Sequence, residues 1–143
     1  MSTLTASARS VGGSLRHRID VNGRHTIITD EPDSLGGSDT APAPHELLPA
    51  MVAACMSTMI VLYARRRAWC LQDVQVDVAY DSDSTPRRLQ VTVHLPEGLT
   101  AHQVERLRHV ADTCPVKRAF QAGFEFDREL VLDLPAVAAD NYV

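Results

Sequence analysis

The stretch 45–67 constrains this chain most, because it is helical in spacing and apolar on nearly every side. Leu47, Leu48, Met51, Val52, Cys55, Met59, Leu62 and Tyr63 recur at i, i+3 and i+4. Ala50, Ala53, Ala54, Met56, Ile60 and Val61 fill most of the remaining surface. A helix without a polar face has to be covered, either by the rest of its own chain or by a second copy. The fold is therefore expected to be built around it. Pro49, lacking an N–H, predicts a kink in its first turn. The most apolar part, Met51 to Leu62, holds Cys, Ser and Thr and runs about 12 residues, against roughly 20 for a bilayer span, so no membrane crossing is expected.

The flanking sequence supplies the cover. Asn22-Gly23 separates two β-prone runs, which predicts a type I′ hairpin with strands near 15–21 and 24–30. Residues 31–44, rich in Pro, Gly, Ser, Asp and Thr, read as a long loop, a length that points to function. Residues 73–80 alternate polar and apolar, as do 88–95, and the turn at 81–86 joins them into a second hairpin with one wet face. Thr100, with Gln103 three residues on, is an N-cap for a helix over 101–113. Its Val104, Leu107 and Val110 share a face. A short helix follows at 115–121 and a final strand at 124–134. The order ββ-α-ββ-α-α-β predicts an α+β fold with antiparallel pairing. One domain is expected over 15–134, between a flexible segment at 1–14 and a tail at 135–143.

Bulk properties narrow the function classes. The chain has 143 residues, enough to bury a core without disulfide staples. Its net charge of −4 is a poor match to nucleic acid, which calls for a basic face. The basic run Arg65-Arg66-Arg67 suits a helix C-terminus instead. Met1 to Ser10 is polar and small, unlike a signal peptide, so a cytoplasmic address is expected. Three cysteines, an odd number, argue against a disulfide framework there. They form no CxxC pair, and six scattered histidines complete no metal set. The GxSxG, GxGxxG and Walker A motifs are absent, and neither cofactor nor metal is expected.

Helix-end physics singles out Cys114. Pro115 favours the first helical position, which makes Cys114 the N-cap. Free amide N–H groups and the helix dipole stabilise an anion there. Lys117 and Arg118 lie one turn on. The alternative is an inert buried thiol, since cysteine packs as a small hydrophobe. Cys55, mid-helix on an apolar face, reads locally as core, and Cys70 as filler.

Together the two cysteines carry a resemblance. Leu35-Gly-Gly-Ser-Asp-Thr-Ala-Pro-Ala-Pro44-His45-Glu46-Leu-Leu48-Pro-Ala-Met-Val-Ala-Ala-Cys55 resembles the OsmC/Ohr family, in which a Gly-rich loop and P-x-E-L-L precede a helix bearing a cysteine. Ala111-Asp-Thr-Cys114-Pro-Val-Lys-Arg118 resembles its second motif. The likeness spans about residues 15–134 and points to the OsmC-like branch. It implies an intertwined homodimer with the long helices at its centre. It also implies a thiol peroxidase acting on organic hydroperoxides or hydrogen peroxide, with Cys55 peroxidatic and Cys114 resolving, reset by a dithiol or a lipoyl protein. In that family an N-terminal arginine activates the first cysteine and an acid holds the arginine. Arg16 and Arg18 share a strand face, so either can serve. His45 occupies the place of the acid, and Glu46 follows it. The alternative function on the same scaffold is a ligand-binding or redox-sensing module without efficient turnover.

Overall fold

The computed structural model describes residues 3–135. The sheet at its start has three antiparallel strands: β1 (Ala6–Ser10), β2 (His17–Val21) and β3 (His25–Thr29), in that order. Asn22 and Gly23 both have positive φ, 51° and 64°, the type I′ turn that the dipeptide predicts. β1 corrects the expectation of a flexible start over 1–14. Its side chains are all exposed, so only backbone pairing to β2 orders it, and composition carries no trace of that.

Two 3-10 turns, Asp33–Leu35 and Pro44–Glu46, interrupt the loop that follows. Gly37 is packed so tightly that a Cβ would lie 1.8 Å from the Glu31 carbonyl oxygen. Helix α1 (Leu47–Arg66) then begins. Pro49 falls in its first turn, where N–H groups have no intrahelical acceptor, so the proline removes no helical bond and the expected kink has no cause.

One line of α1 is buried: Val52, Met56, Ile60 and Ala64, at successive i+4 steps. It packs under the hairpin of β4 (Gln75–Asp81) and β5 (Arg88–His94) and against α2 (Ala101–Asp112). The hairpin alternates as its sequence predicts. Val76, Val78, Leu89 and Val93 turn inward, while Asp77 and His94 pair across the wet face at 3.0 Å. The opposite side of α1 stays open within one chain, with Met51 and Leu62 exposed. Counted with its leading turn, Pro44–Arg66 spans 23 residues with a mean hydropathy of 2.0 over its most apolar window, long and apolar enough to cross a membrane. The apolar run is thus longer than the expected span at 51–62. One line of it packs under the hairpin and against α2.

Thr100 caps α2 as expected. Its Oγ1 accepts from Gln103 N–H at 3.1 Å and its own N–H donates to Gln103 Oε1 at 2.9 Å. Leu107, Val110 and Ala111 form the buried face, with Val104 only half-buried. Helix α3 (Pro115–Ala122) follows directly. The strand expected at 124–134 is not formed. Phe126, Leu130, Leu132 and Leu134 repeat at strand spacing, yet all are exposed. A strand needs a neighbouring edge to satisfy its N–H and C=O groups, and this segment pairs with none among the described residues. The tail expected over 135–143 lies, beyond Pro135, outside the described residues.

Candidate functional site

Two thiols meet where α1 passes the start of α3. Cys55 lies on the third turn of α1, between Val52 and Met56, and is half-buried. Cys114 is fully buried against those same two residues, with Cys55, Val116 and Phe120 around it. Local sequence fixes each position. The apolar line of α1 draws Cys55 toward the core, and Pro115 starts α3 so that Cys114 caps it. Cys114 Sγ accepts the Lys117 backbone N–H at 3.5 Å, as helix-end physics predicts. Lys117 itself turns its ammonium to Asp112, holding that carboxyl below its usual value.

Both thiols are free. Burial pushes the Cys55 thiol up, and its hydrogen bond to Cys114 adds to the rise. The Val116 backbone N–H opposes them, and no arginine is among the groups acting on this sulfur. The geometry is that of two free thiols packed in one cluster, with the ionisation of Cys55 disfavoured. Cys70 is exposed past the end of α1 and takes no part. Beside the pair, a hollow of about 880 Å³ opens between α1, β5, α2 and α3. Val52, Met56, Leu107 and Phe120 line its floor, and Arg87, Arg88, Arg108 and Lys117 stand among its walls.

Of the other expected site residues, Arg18 is on the first sheet and Arg16 just before β2, while Glu46 lies in the turn before α1. Glu46 Oε2 accepts the Ala43 N–H at 2.8 Å, closing the turn before α1. Neighbouring His45 meets the Tyr80 ring edge-on, with centroids 6.4 Å apart. Arg18 pairs with Asp20 at 3.2 Å and reaches Thr26, on an exposed sheet face. Arg16 donates to the Thr40 hydroxyl. Within one chain, then, the two cysteines come together, while the described bonds of Arg16, Arg18 and Glu46 go elsewhere.

Sequence reasoning missed Asp30. It is buried, and its carboxylate accepts from Thr40 Oγ1 at 2.7 Å, Thr40 N–H at 3.2 Å and Glu31 N–H at 2.9 Å. These bonds, led by the Thr40 hydroxyl, lower its pKa to about 2. An acid between a β-prone run and a polar loop carries no signal of burial, so only the tertiary fold reveals it.

A family model described as OsmC-like protein matches residues 36–129. Among the curated proteins nothing matches. Solved structures do. A Psychrobacter arcticus protein assigned to the osmotic-stress and detoxification response is 25% identical, with a TM-score of 0.68 over 82% of this chain and 88% of that one. The organic hydroperoxide resistance protein OsmC of Legionella pneumophila is 26% identical, with a TM-score of 0.59 over 85% and 90%. An OsmC-like protein of Mycoplasma pneumoniae, at 17% identity, shares the fold with a TM-score of 0.63 over 84% and 88%.

Proposed function

The chain belongs to the OsmC-like protein family, and from that premise we propose that it is a thiol-dependent peroxidase for organic hydroperoxides or hydrogen peroxide. The observation that carries this reading is the packing of Cys55 against the core cluster that holds Cys114, which brings together thiols from α1 and the cap of α3. The name of the Legionella relative, an organic hydroperoxide resistance protein, supports it.

In the reaction, the Cys55 thiolate attacks one peroxide oxygen and the O–O bond breaks. The other oxygen leaves as an alcohol, or as water from hydrogen peroxide, after taking up a proton. Cys55 is then a sulfenic acid, the lowest rung of cysteine oxidation. Cys114 attacks that sulfur, hydroxide departs and is protonated to water, and a Cys55–Cys114 disulfide forms. A dithiol or lipoyl-protein reductant restores both thiols by exchange and is itself oxidised to a disulfide. The N-cap position of Cys114 suits this role, because the Lys117 N–H steadies the attacking anion.

Cys55 needs a cation that its own surroundings do not supply, and Arg16 and Arg18 are the candidates, with Glu46 nearby. We place the working protein in the cytoplasm as a homodimer, without membrane or nucleic-acid partners. The open side of α1 and the unpaired apolar repeat at 124–134 support the dimer, because a second copy is the nearest source of both a covering face and a strand edge.

A second reading, a ligand-binding or redox-sensing module with poor turnover, is favoured by the raised Cys55 thiol and the hollow beside it. Intact mass after one equivalent of cumene hydroperoxide, with non-reducing peptide mapping, separates the two. Loss of two hydrogens per chain, mapped to a Cys55–Cys114 bridge, is expected. Two unoxidised thiols would sink the peroxidase and promote the second reading.

A further inference from the structure

The corner that carries Cys114 is held by more than the cap of α3. The Thr113 and Cys114 N–H groups donate back to the Val110 and Ala111 carbonyls at 3.0 and 3.3 Å, and the Thr113 hydroxyl donates to Val110 at 2.7 Å, so the last turn of α2 runs into the cysteine. Arg118 N–H donates to the Cys114 carbonyl at 3.0 Å and Lys117 N–H to its sulfur at 3.5 Å, which starts α3 from the same residue. Cys114 is therefore the joint between two helices, and the direction of its side chain follows how they meet.

Little anchors α3 itself. Its 8 residues are too few for a helix to be stable alone, and none of them is fully buried. Val116 and Phe120 rest against the thiol cluster. Lys117 adds a tie of another kind. Its ammonium reaches back across the joint to Asp112, at the end of α2, at 2.5 Å. The Lys117 side chain is only 28% exposed, so the charge is held in place rather than swinging in solvent. Arg108 and His109 also act on Asp112, but from α2 itself, and Arg108 pairs with Glu105 at 3.3 Å. Lys117 thus serves Cys114 twice. Its amide meets the sulfur, and its ammonium braces the helix that carries the amide. The preceding amide, Val116 N–H, is the group that opposes the rise at Cys55, so the first turn of α3 serves both sulfurs.

We propose that Asp112 and Lys117 are positioning residues for the step in which Cys114 closes the disulfide: their ion pair spans the joint and holds the Cys114 sulfur facing Cys55. In that step the S–S bond forms as the S–O bond of the Cys55 sulfenic acid breaks, and the departing hydroxide takes up a proton as water. The pair supplies neither proton nor electron, only aim. A disulfide tolerates little error in how its cysteines face each other, and a displacement of about 1 Å in a reacting atom slows a reaction markedly. Slower closure leaves the sulfenic acid open to a second hydroperoxide, which takes it to sulfinic acid. The proposal rests on the peroxidase reading for this consequence, but not for its test on closure.

The test compares the full-length protein with Asp112→Asn, Lys117→Met, the double variant and Lys117→Arg. Two quantities are read by peptide mass after alkylation: the ratio of Cys55–Cys114 bridge to Cys55 sulfinic acid at a fixed excess of cumene hydroperoxide, and the first-order rate of bridge closure at saturating diamide. Diamide adds to one thiolate and is displaced by the other, leaving as the hydrazine, so this second arm needs no peroxide. Each single variant is expected to lower both quantities about fivefold, in keeping with a partly exposed ion pair. The double variant should do no worse than either single one. Lys117→Arg, which keeps a cation for Asp112, should stay within about twofold of the parent. Lys117→Met retains the backbone amide and the stem, and it carries the test if Asp112→Asn does not fold. An unchanged ratio and rate in Lys117→Met overturn the proposal even if its melting point falls, because a merely structural pair behaves in that way. Losses that multiply in the double variant, to about 25-fold, overturn the joint action of the two residues. A parent that hydroperoxide leaves unoxidised refutes the peroxidase, while the diamide rates still decide this inference.

Discussion

The half of the molecule around the two thiols and the half around the first sheet are opposite in chemistry. Near Cys55 and Cys114 the walls are Val52, Met56, Val116 and Phe120, and burial works against a thiolate. Around β1–β3 lie Arg16, Arg18, Asp20, Thr26, Thr40 and Asp30, a hydrogen-bonded polar surface without a sulfur atom. One half holds the nucleophile, with its cations on the walls of the neighbouring hollow rather than on the sulfur; the other holds cations and no sulfur. The contrast teaches that reactivity here is a property of how the halves are brought together, not of either alone.

The largest effects come from breaking the thiol half. Cys55→Ser should abolish hydroperoxide turnover in a coupled assay; full retained activity would refute the assigned attack. Cys114→Ser should keep the first oxidation but halt turnover, leaving Cys55 as sulfinic acid by mass. Next comes the joining of the halves. Ala54→Arg, on the exposed side of α1, should convert a dimer to a monomer by light scattering and lower turnover with it. A fully active monomeric variant would show that one chain suffices. Within the apolar half, Ile60→Ala should cost about 2–5 kcal/mol in urea unfolding, because Ile60 is fully buried; a loss under about 0.5 kcal/mol would mean that this face is loosely packed.

The polar half should respond to acid instead. The Asp30 carboxyl sits at about 2 in the fold against an ordinary 3.8. A depressed carboxyl stabilises the fold fully above its unfolded value and loses that contribution as pH falls through the folded one. The Asp30–Thr40 loop should therefore loosen between about pH 4 and pH 2. Hydrogen exchange at Glu31 and Thr40 amides would report it, and unchanged protection at the lower pH would contradict it.

What the sequence made legible follows from the range of the forces involved. Helix α1, the Asn22-Gly23 turn, the second hairpin and the caps at Thr100 and Cys114 are local, and their residues carry the signal. β1 was hidden because it is ordered by backbone pairing alone, and Pro49 misled because its place in the first turn decides its cost. The repeat at 124–134 has the period of a strand but no partner edge among the described residues, so pattern without pairing left it open. For the site, the cap geometry singled out Cys114, whereas Cys55 stood out only through the family motif. Asp30 needed the fold, since nothing in Thr29-Asp30-Glu31 distinguishes a buried acid from a surface one.

The distance along the chain between Cys55 and Cys114 has a consequence for heat. A bridge between them would close a loop of about 60 residues, and the lost freedom of the unfolded chain would stabilise the oxidised fold by about 4 kcal/mol. For a domain of this length that is roughly 10 °C in Tm. The oxidation state of the dithiol would then be readable on a thermometer, with reductant lowering the melting point and hydroperoxide raising it.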